Sequence, residues 1–382
     1  MAINIKNLQE QIQKKAYSAT SSTPTAELGD IIEASLLATN SLRQYDSASA
    51  LPLATSSNEK LAYIKKDNSI YFNNGKKWDV LEAGAAQISK PFVYDGFNGS
   101  AQNNGTEYGY VFGGNGNAGH ERFSFTSDGN GADVGDLTVL QYWGDAASSL
   151  LAGYHFGGEW PSPNYSNKIE KLTYASQGDT TDIGDLVGGT RFTAPAQSST
   201  HGYGAGGEIP SRTSSIQKFP FATDGNAADA GDLTISQSKQ TGSSSTTHGY
   251  SSGGEPDGDL LTKYPFASDV TGTDVGVITA PAQYAAAGGE QNYTHGYLLR
   301  DGGPVGESIE KFPFASDANS TDVADASTAM SFQAASCNSL THGYYAGGNS
   351  NTIQKYSRVA DTDTTDVGDL TTSAYGQAGT SD

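Results

Sequence analysis

From about residue 91 onward, short apolar stretches alternate with breaks rich in Gly, Ser, Asn and Asp, and the alternation has a long period. One block marks that period. It reads Tyr-Gly-Tyr-Val-Phe-Gly-Gly at 108–114, Ala-Gly-Tyr-His-Phe-Gly-Gly at 152–158 and His-Gly-Tyr-Gly-Ala-Gly-Gly at 201–207. It returns as His-Gly-Tyr-Ser-Ser-Gly-Gly at 248–254, His-Gly-Tyr-Leu-Leu-Arg-Asp-Gly-Gly at 295–303 and His-Gly-Tyr-Tyr-Ala-Gly-Gly at 342–348. The first glycines are Gly109, Gly153, Gly202, Gly249, Gly296 and Gly343, giving steps of 44, 49, 47, 47 and 47 residues. A variable loop follows each block, then a segment such as Ile-Gln-Lys-Phe-Pro-Phe (216–221), then a turn and a stretch such as Asp-Val-Gly-Asp-Leu (133–137). Repeats of this length with strand-like content are the blades of a propeller. Four strands per blade are predicted: a variable first strand, the Gly-Tyr strand, the Lys-Phe strand and the Asp-Val-Gly-Asp-Leu strand.

Pro220, Pro265 and Pro313 in the third strand imply a ladder position that needs no N–H, at an edge or a bulge. Lys311 falls on the face of Ile309 and Pro313, so simple alternation fails, which a blade covered on both faces tolerates. After Leu370 the chain reads like the first strand of a seventh repeat. That segment is predicted to complete the first blade and close a six-bladed ring, with Phe92-Val93-Tyr94 as the other candidate for the strand. The fold expected is mainly β: a six-bladed propeller over 91–382, a small β-meander module and linker over 51–90, and a helical segment over 1–50.

In that first segment, Ile5, Leu8 and Ile12 have helical spacing. After a polar break at Ser18–Thr25, Leu28, Ile31, Ile32, Leu36 and Leu37 mark a second helix. Both are too short to stand alone in water and are expected to pack on each other, on sister chains or on a larger assembly. The meander is read from Leu61–Lys65, Ser69–Asn73 and Lys77–Leu81, with Asn74-Gly75 as a hairpin turn.

Charge and composition narrow the functions. Hydrophobic residues are 36% and there are 47 glycines, a mix for many short strands. The net charge of −20 opposes binding to nucleic acid and to anionic lipid. The single Cys337 excludes an intrachain disulfide and a cysteine zinc cluster, and its setting reads as a small buried residue. No apolar run is long enough to span a membrane. The amino terminus lacks a signal-peptide pattern, so synthesis in a cytoplasm without Sec export is expected.

Candidate chemistry is sparse. His201, His248, His295 and His342 occupy equivalent places in successive repeats, so they are spread around a ring and read as structural. Asp128, Asn130 and Asp133, repeated as Asp224, Asn226 and Asp229, have oxygen ligands at spacings that could hold calcium. Turn bonding and capping is the simpler role for them. Lys171, Lys218, Lys263, Lys311 and Lys355, with Arg122, precede an aromatic or Leu in every blade, and local ion pairs are expected. No catalytic motif stands out and no cofactor is implied. The variable loops after Gly-Gly are the binding candidates, with Trp160, Tyr165 and Arg212 as the residues expected to contact a sugar or protein partner.

The stretch from Leu51 through Ser57-Asn-Glu-Lys-Leu-Ala-Tyr-Ile64 to Ile70-Tyr-Phe-Asn-Asn-Gly-Lys-Lys-Trp78 resembles a module of bacteriophage tail-fibre and other virion proteins, especially phages of marine bacteria. The repeats resemble a divergent kelch propeller, without its regularly placed Trp. The phage resemblance implies a non-enzymatic virion protein that trimerises through residues 1–50 and contacts other virion proteins. Its propeller would then meet a host surface glycan or protein. The alternatives are a structural spacer or decoration protein and a glycan-active propeller enzyme.

Overall fold

A computed structural model describes residues 44–45, 61–64, 69–73 and 78–80, and residues 105–382 except 280–288, 301–307, 329, 331–332 and 340. The chain forms two compact units, Met1–Asn98 and Gly99–Asp382. The two helices expected before residue 40 and the Phe92-Val93-Tyr94 strand lie outside the described residues.

In the first unit, Leu61–Ile64, Ser69–Asn73 and Trp78–Val80 form an antiparallel meander. Gln44–Tyr45, placed in the helical segment by the sequence reading, instead adds a short strand parallel to Leu61–Ile64.

The second unit is six four-stranded antiparallel sheets, the third with one extra short strand, Glu208–Ile209. Their innermost strands, such as Asp145–Ser148 and Ala194–Gln197, pack side by side in a ring. The ring closes as expected: Ala378–Ser381 pairs with Tyr108–Phe112, so the end of the chain supplies the first strand of the first blade. The prolines end the third strand, two residues past its last pairing with the outer strand, as at Lys218↔Ala228, where no N–H is needed.

The repeated residues are the contacts within and between blades. The motif glycine lies opposite the third-strand aromatic, as Gly202↔Phe219, and the ring covers its Cα so closely that a Cβ would collide with it. The motif tyrosine stacks on an aromatic of the next blade: Tyr110 on Tyr174, Tyr154 on Phe221, Tyr203 on Phe266, Tyr250 on Phe314 and Tyr344 on Phe125, all at 4.7–4.9 Å. Each such pair adds about 0.5–1.5 kcal/mol beyond its buried area. The acid or amide before the lysine, or before Arg122 in the first blade, reaches the preceding blade. Glu121 accepts from Thr371 N and Glu170 from Thr138 N at 2.7 Å, Gln217 from Val187 N at 2.7 Å and Glu310 from Thr279 N at 2.8 Å.

The lysines pair with an aspartate of the next blade, as Lys171–Asp224 (2.8 Å), Lys263–Asp317 (2.6 Å) and Lys355–Asp128 (2.9 Å). In the first blade Arg122 lies over the Tyr108 ring instead, and Gln177 stands where the other blades have this aspartate. These pairs are partly exposed, so their repetition overstates their weight. Lys263→Ala is expected to cost less than about 1 kcal/mol in denaturant unfolding.

Between the fifth and sixth blades, Arg358 replaces the stacking aromatic. It donates to Asn338 Oδ1 at 3.0 Å and to the carbonyls of Gln291 and Ser339. Beside it, the fully buried Glu290 accepts from Tyr356 Oη at 2.9 Å. Burial, opposed by Arg358 and by the Tyr356 hydrogen bond, raises the Glu290 pKa from 4.5 to about 8. The folded state therefore holds this proton more tightly than the unfolded one. The stabilisation is fully present below pH 4.5 and is lost as pH rises through about 8. Glu290→Gln should thus gain stability relative to the parent chain as pH rises from 5 to 8, by urea unfolding at each pH.

Candidate functional site

Small residues let the six innermost strands converge on a narrow channel. The sequences Asp-Ala-Ala-Ser, Ala-Pro-Ala-Gln, Thr-Gly-Ser-Ser and Ala-Gly-Thr-Ser admit little bulk, and the channel's free volume is ≈ 40 Å³. That is room for about three waters. A ring of hydrogen bonds closes its lower part. Backbone N–H groups donate to the next blade's side chain: Ser148 to Gln197 (3.4 Å), Gln197 to Ser244 (2.8 Å) and Ser244 to Gln291 (3.3 Å). Gln291 donates to Asn338 (3.0 Å), Asn338 to Ser381 (2.8 Å) and Ser381 back to Ser148 (3.2 Å). The ring satisfies N–H groups on the inner strands, where no further strand is available to pair.

Strand direction separates two faces. Gly105 N donates to Asn338 O and Thr106 N to Asp382 O, so the chain joins the propeller on the face that carries the first-to-second strand turns. Among the described residues, the Gly-Gly loops and the loops leading into the inner strands lie on the opposite, distal face.

There, two residues before each inner strand, the backbone turns left-handed: Trp143 (φ 60°), Phe192 (φ 59°), Lys239 (φ 64°), Gln333 (φ 59°) and Gly376 (φ 70°). The equivalent loop of the fifth blade lies outside the described residues. Bulky residues rarely adopt this conformation. A ladder around the mouth holds three of them, with Trp143 N donating to Gly376 O (2.9 Å), Phe192 N to Trp143 O (3.2 Å) and Lys239 N to Phe192 O (3.0 Å). Strain of this kind gathers at ligand clamps and active sites.

The side chains form one aromatic cluster. The Trp143 ring lies 4.4 Å from Tyr142, 4.9 Å from Phe192 and 6.1 Å from Tyr375. Trp160, 44% exposed, meets Tyr142 edge-on at 5.9 Å. Arg191 lies over Trp143 (4.9 Å), Phe192 (4.8 Å) and Tyr165 (5.4 Å) and is ion-paired to the buried Glu159. Lys239 and Arg212 share Glu255 at 3.1 and 2.5 Å. The loop residues Trp160, Tyr165 and Arg212 thus fall on the same face, with Tyr165 half-buried under Arg191 and Trp160 and Arg212 exposed.

Beneath the aromatics sits Asp145, buried and lining the channel. It accepts from Thr193 N (2.8 Å), Thr193 Oγ1 (2.7 Å) and Gln333 Nε2 (3.1 Å). Burial lifts its pKa to about 7, and these bonds oppose the shift. Gln333 reaches there from the sixth blade.

The other candidates stay apart. The four motif histidines each bond the preceding threonine hydroxyl through Nδ1 at 2.8 Å, each in its own blade. Asp128 and Asp224 hold lysines. Asn130 and Asn226 accept from Asp369 N (3.1 Å) and Asp185 N (3.0 Å) of the preceding blade. Asp133 and Asp229 accept from Gly135 N and Gly231 N at 3.1 Å. Among the described residues, no three His, Cys, Asp or Glu side chains are grouped to hold a metal. Cys337 is buried, and burial pushes its thiol pKa up, the opposite of an activated nucleophile. No protein-family model matches this chain, and no curated protein matches it in sequence.

Proposed function

We propose that this chain is a non-enzymatic virion protein that presents the distal face of its propeller to a host cell surface. One observation carries the reading: exposed and half-buried aromatics gather at the channel mouth, on the face opposite the point where the chain joins the propeller. The phage-like module at 51–82 supplies the virion context, with trimerisation through residues 1–50 and contacts to other virion proteins.

Asp145 supports a binding role over a catalytic one. It is the one carboxylate lining the channel among the described residues, and both its oxygens are engaged. Glycoside hydrolysis uses two carboxylates across the bond to be cut. A spacer or decoration role is the second reading, favoured by Leu150 and Leu151, adjacent and 58% and 69% exposed on the face where the chain joins.

The test is adsorption of the fluorescently labelled full chain to a panel of marine bacterial isolates. Saturable binding to some strains, weakened by Trp160→Ser, is expected. Failure to adsorb to any, or adsorption indifferent to Trp160→Ser, would turn the reading toward the spacer.

A further inference from the structure

We propose that the distal mouth binds an uncharged saccharide, with Trp143 as the stacking platform and Gln333 as a hydroxyl acceptor; this rests on the recognition reading above. The argument starts with what the Trp143 ring can face. Arg191 lies 4.9 Å from its centre, which disfavours a second cation there. An anion meets a chain of net charge −20, and Arg191 and Lys239 are already neutralised by Glu159, Glu208 and Glu255. A neutral partner with one apolar face remains, and the C–H face of a pyranose laid on an indole is that shape.

Gly376 sets how closely the Trp143 ring can approach the backbone of the first blade. The Trp143 ring crosses this residue so closely that a Cβ there would sit 2.6 Å from the Trp143 Cδ1 atom.

The polar half of the site is Gln333. Its Nε2 donates to Gly144 O (3.0 Å) and Asp145 Oδ1 (3.1 Å), two acceptors that fix which way the amide points. Its Oε1 is buried beside the channel and has no donor among the described residues. A buried acceptor without a donor is costly, and a sugar hydroxyl supplies one. The ≈ 40 Å³ channel is too small for a sugar ring, so the ligand lies across the mouth and only a hydroxyl points inward. Ordering of that hydroxyl by Gln333 would select among epimers.

The test is a glycan array of neutral, acidic and basic saccharides probed with the full chain, followed by saturation-transfer NMR with the methyl glycoside of any sugar retained. Two variants keep the left-handed backbone, which Asn accepts more readily than most other non-glycine residues. Trp143→Asn removes the platform and Gln333→Asn withdraws the acceptor. Their melting temperatures establish that they fold. Binding to at least one neutral saccharide is expected, weakened about tenfold or more by Trp143→Asn and less by Gln333→Asn. Retention of acidic sugars alone, an empty array, or equal binding by Trp143→Asn would overturn the proposal. If the parent chain still adsorbs to cells in those cases, recognition stands and its ligand is not a neutral sugar. If it adsorbs to none, both fail.

Discussion

Removing residues 378–382 should abolish the single cooperative unfolding transition of the propeller. The loss goes beyond one strand. Ala378–Ser381 pairs along Tyr108–Phe112, so the second strand of the first blade becomes an open edge, beside Tyr110 and Phe112, which are 1% and 0% exposed in the closed ring. Ser381 is also one of the six members of the channel ring, accepting from Asn338 N at 2.8 Å and donating to Ser148 at 3.2 Å. Asp382 Oδ1 accepts from Glu107 N and Tyr108 N at 3.0 Å, tying the two ends of the propeller together. Domains have about 5–15 kcal/mol in total, and losing a strand, a ring member and this clamp takes a large share of it. Calorimetry of the full and shortened chains decides the matter. A broad, low-enthalpy transition is expected, and an unchanged melting temperature would mean that another segment closes the ring.

Gly242→Ala should be the most damaging single substitution among the small residues of the inner strands. A Cβ at 242 would fall well inside contact distance of Pro195, and the three nearest atoms are its backbone O, N and C. No side chain can rotate out of the way, so the strands of the third and fourth blades must separate. The expected cost is about 3 kcal/mol, or roughly 6–12 °C in Tm for a domain of this size. Gly225→Ala is the matched control, since the nearest atom to a Cβ there is Thr223 O at 3.8 Å and the turn is exposed. It should change stability by less than about 0.5 kcal/mol. Equal effects at the two positions would contradict the packing described for the channel.

The propeller was legible in the sequence because its contacts repeat with residue identity. Gly202 needs the space that Phe219 takes, Tyr203 needs Phe266, and Lys218 needs Asp269, and the same types recur blade after blade. Closure was legible for the same reason, since the segment after Leu370 matches a first strand. The mouth was not. Trp143, Phe192, Lys239, Gln333 and Gly376 share a left-handed backbone and a place in the blade but no chemistry, so no column of the repeat marks them. The channel ring hides in the same way, because Ser, Gln and Asn alternate as its acceptors. The variable loops point to Trp160 and Tyr165, whereas the aromatics beside them belong to shorter loops on the inner side that no repeat column marks. An alignment of the residue two places before each inner strand was the signal that would have found them.

Hydrogen–deuterium exchange of the full chain, free and adsorbed to envelope from a strain it binds, tests the central claim most directly. Slowed exchange confined to the distal loops around 142–145, 158–166 and 190–193, with the opposite-face turns near 149–151, 198–200 and 223–226 unchanged, is the expected result. Slowed exchange at those opposite-face turns, with the distal loops unaffected, would contradict it.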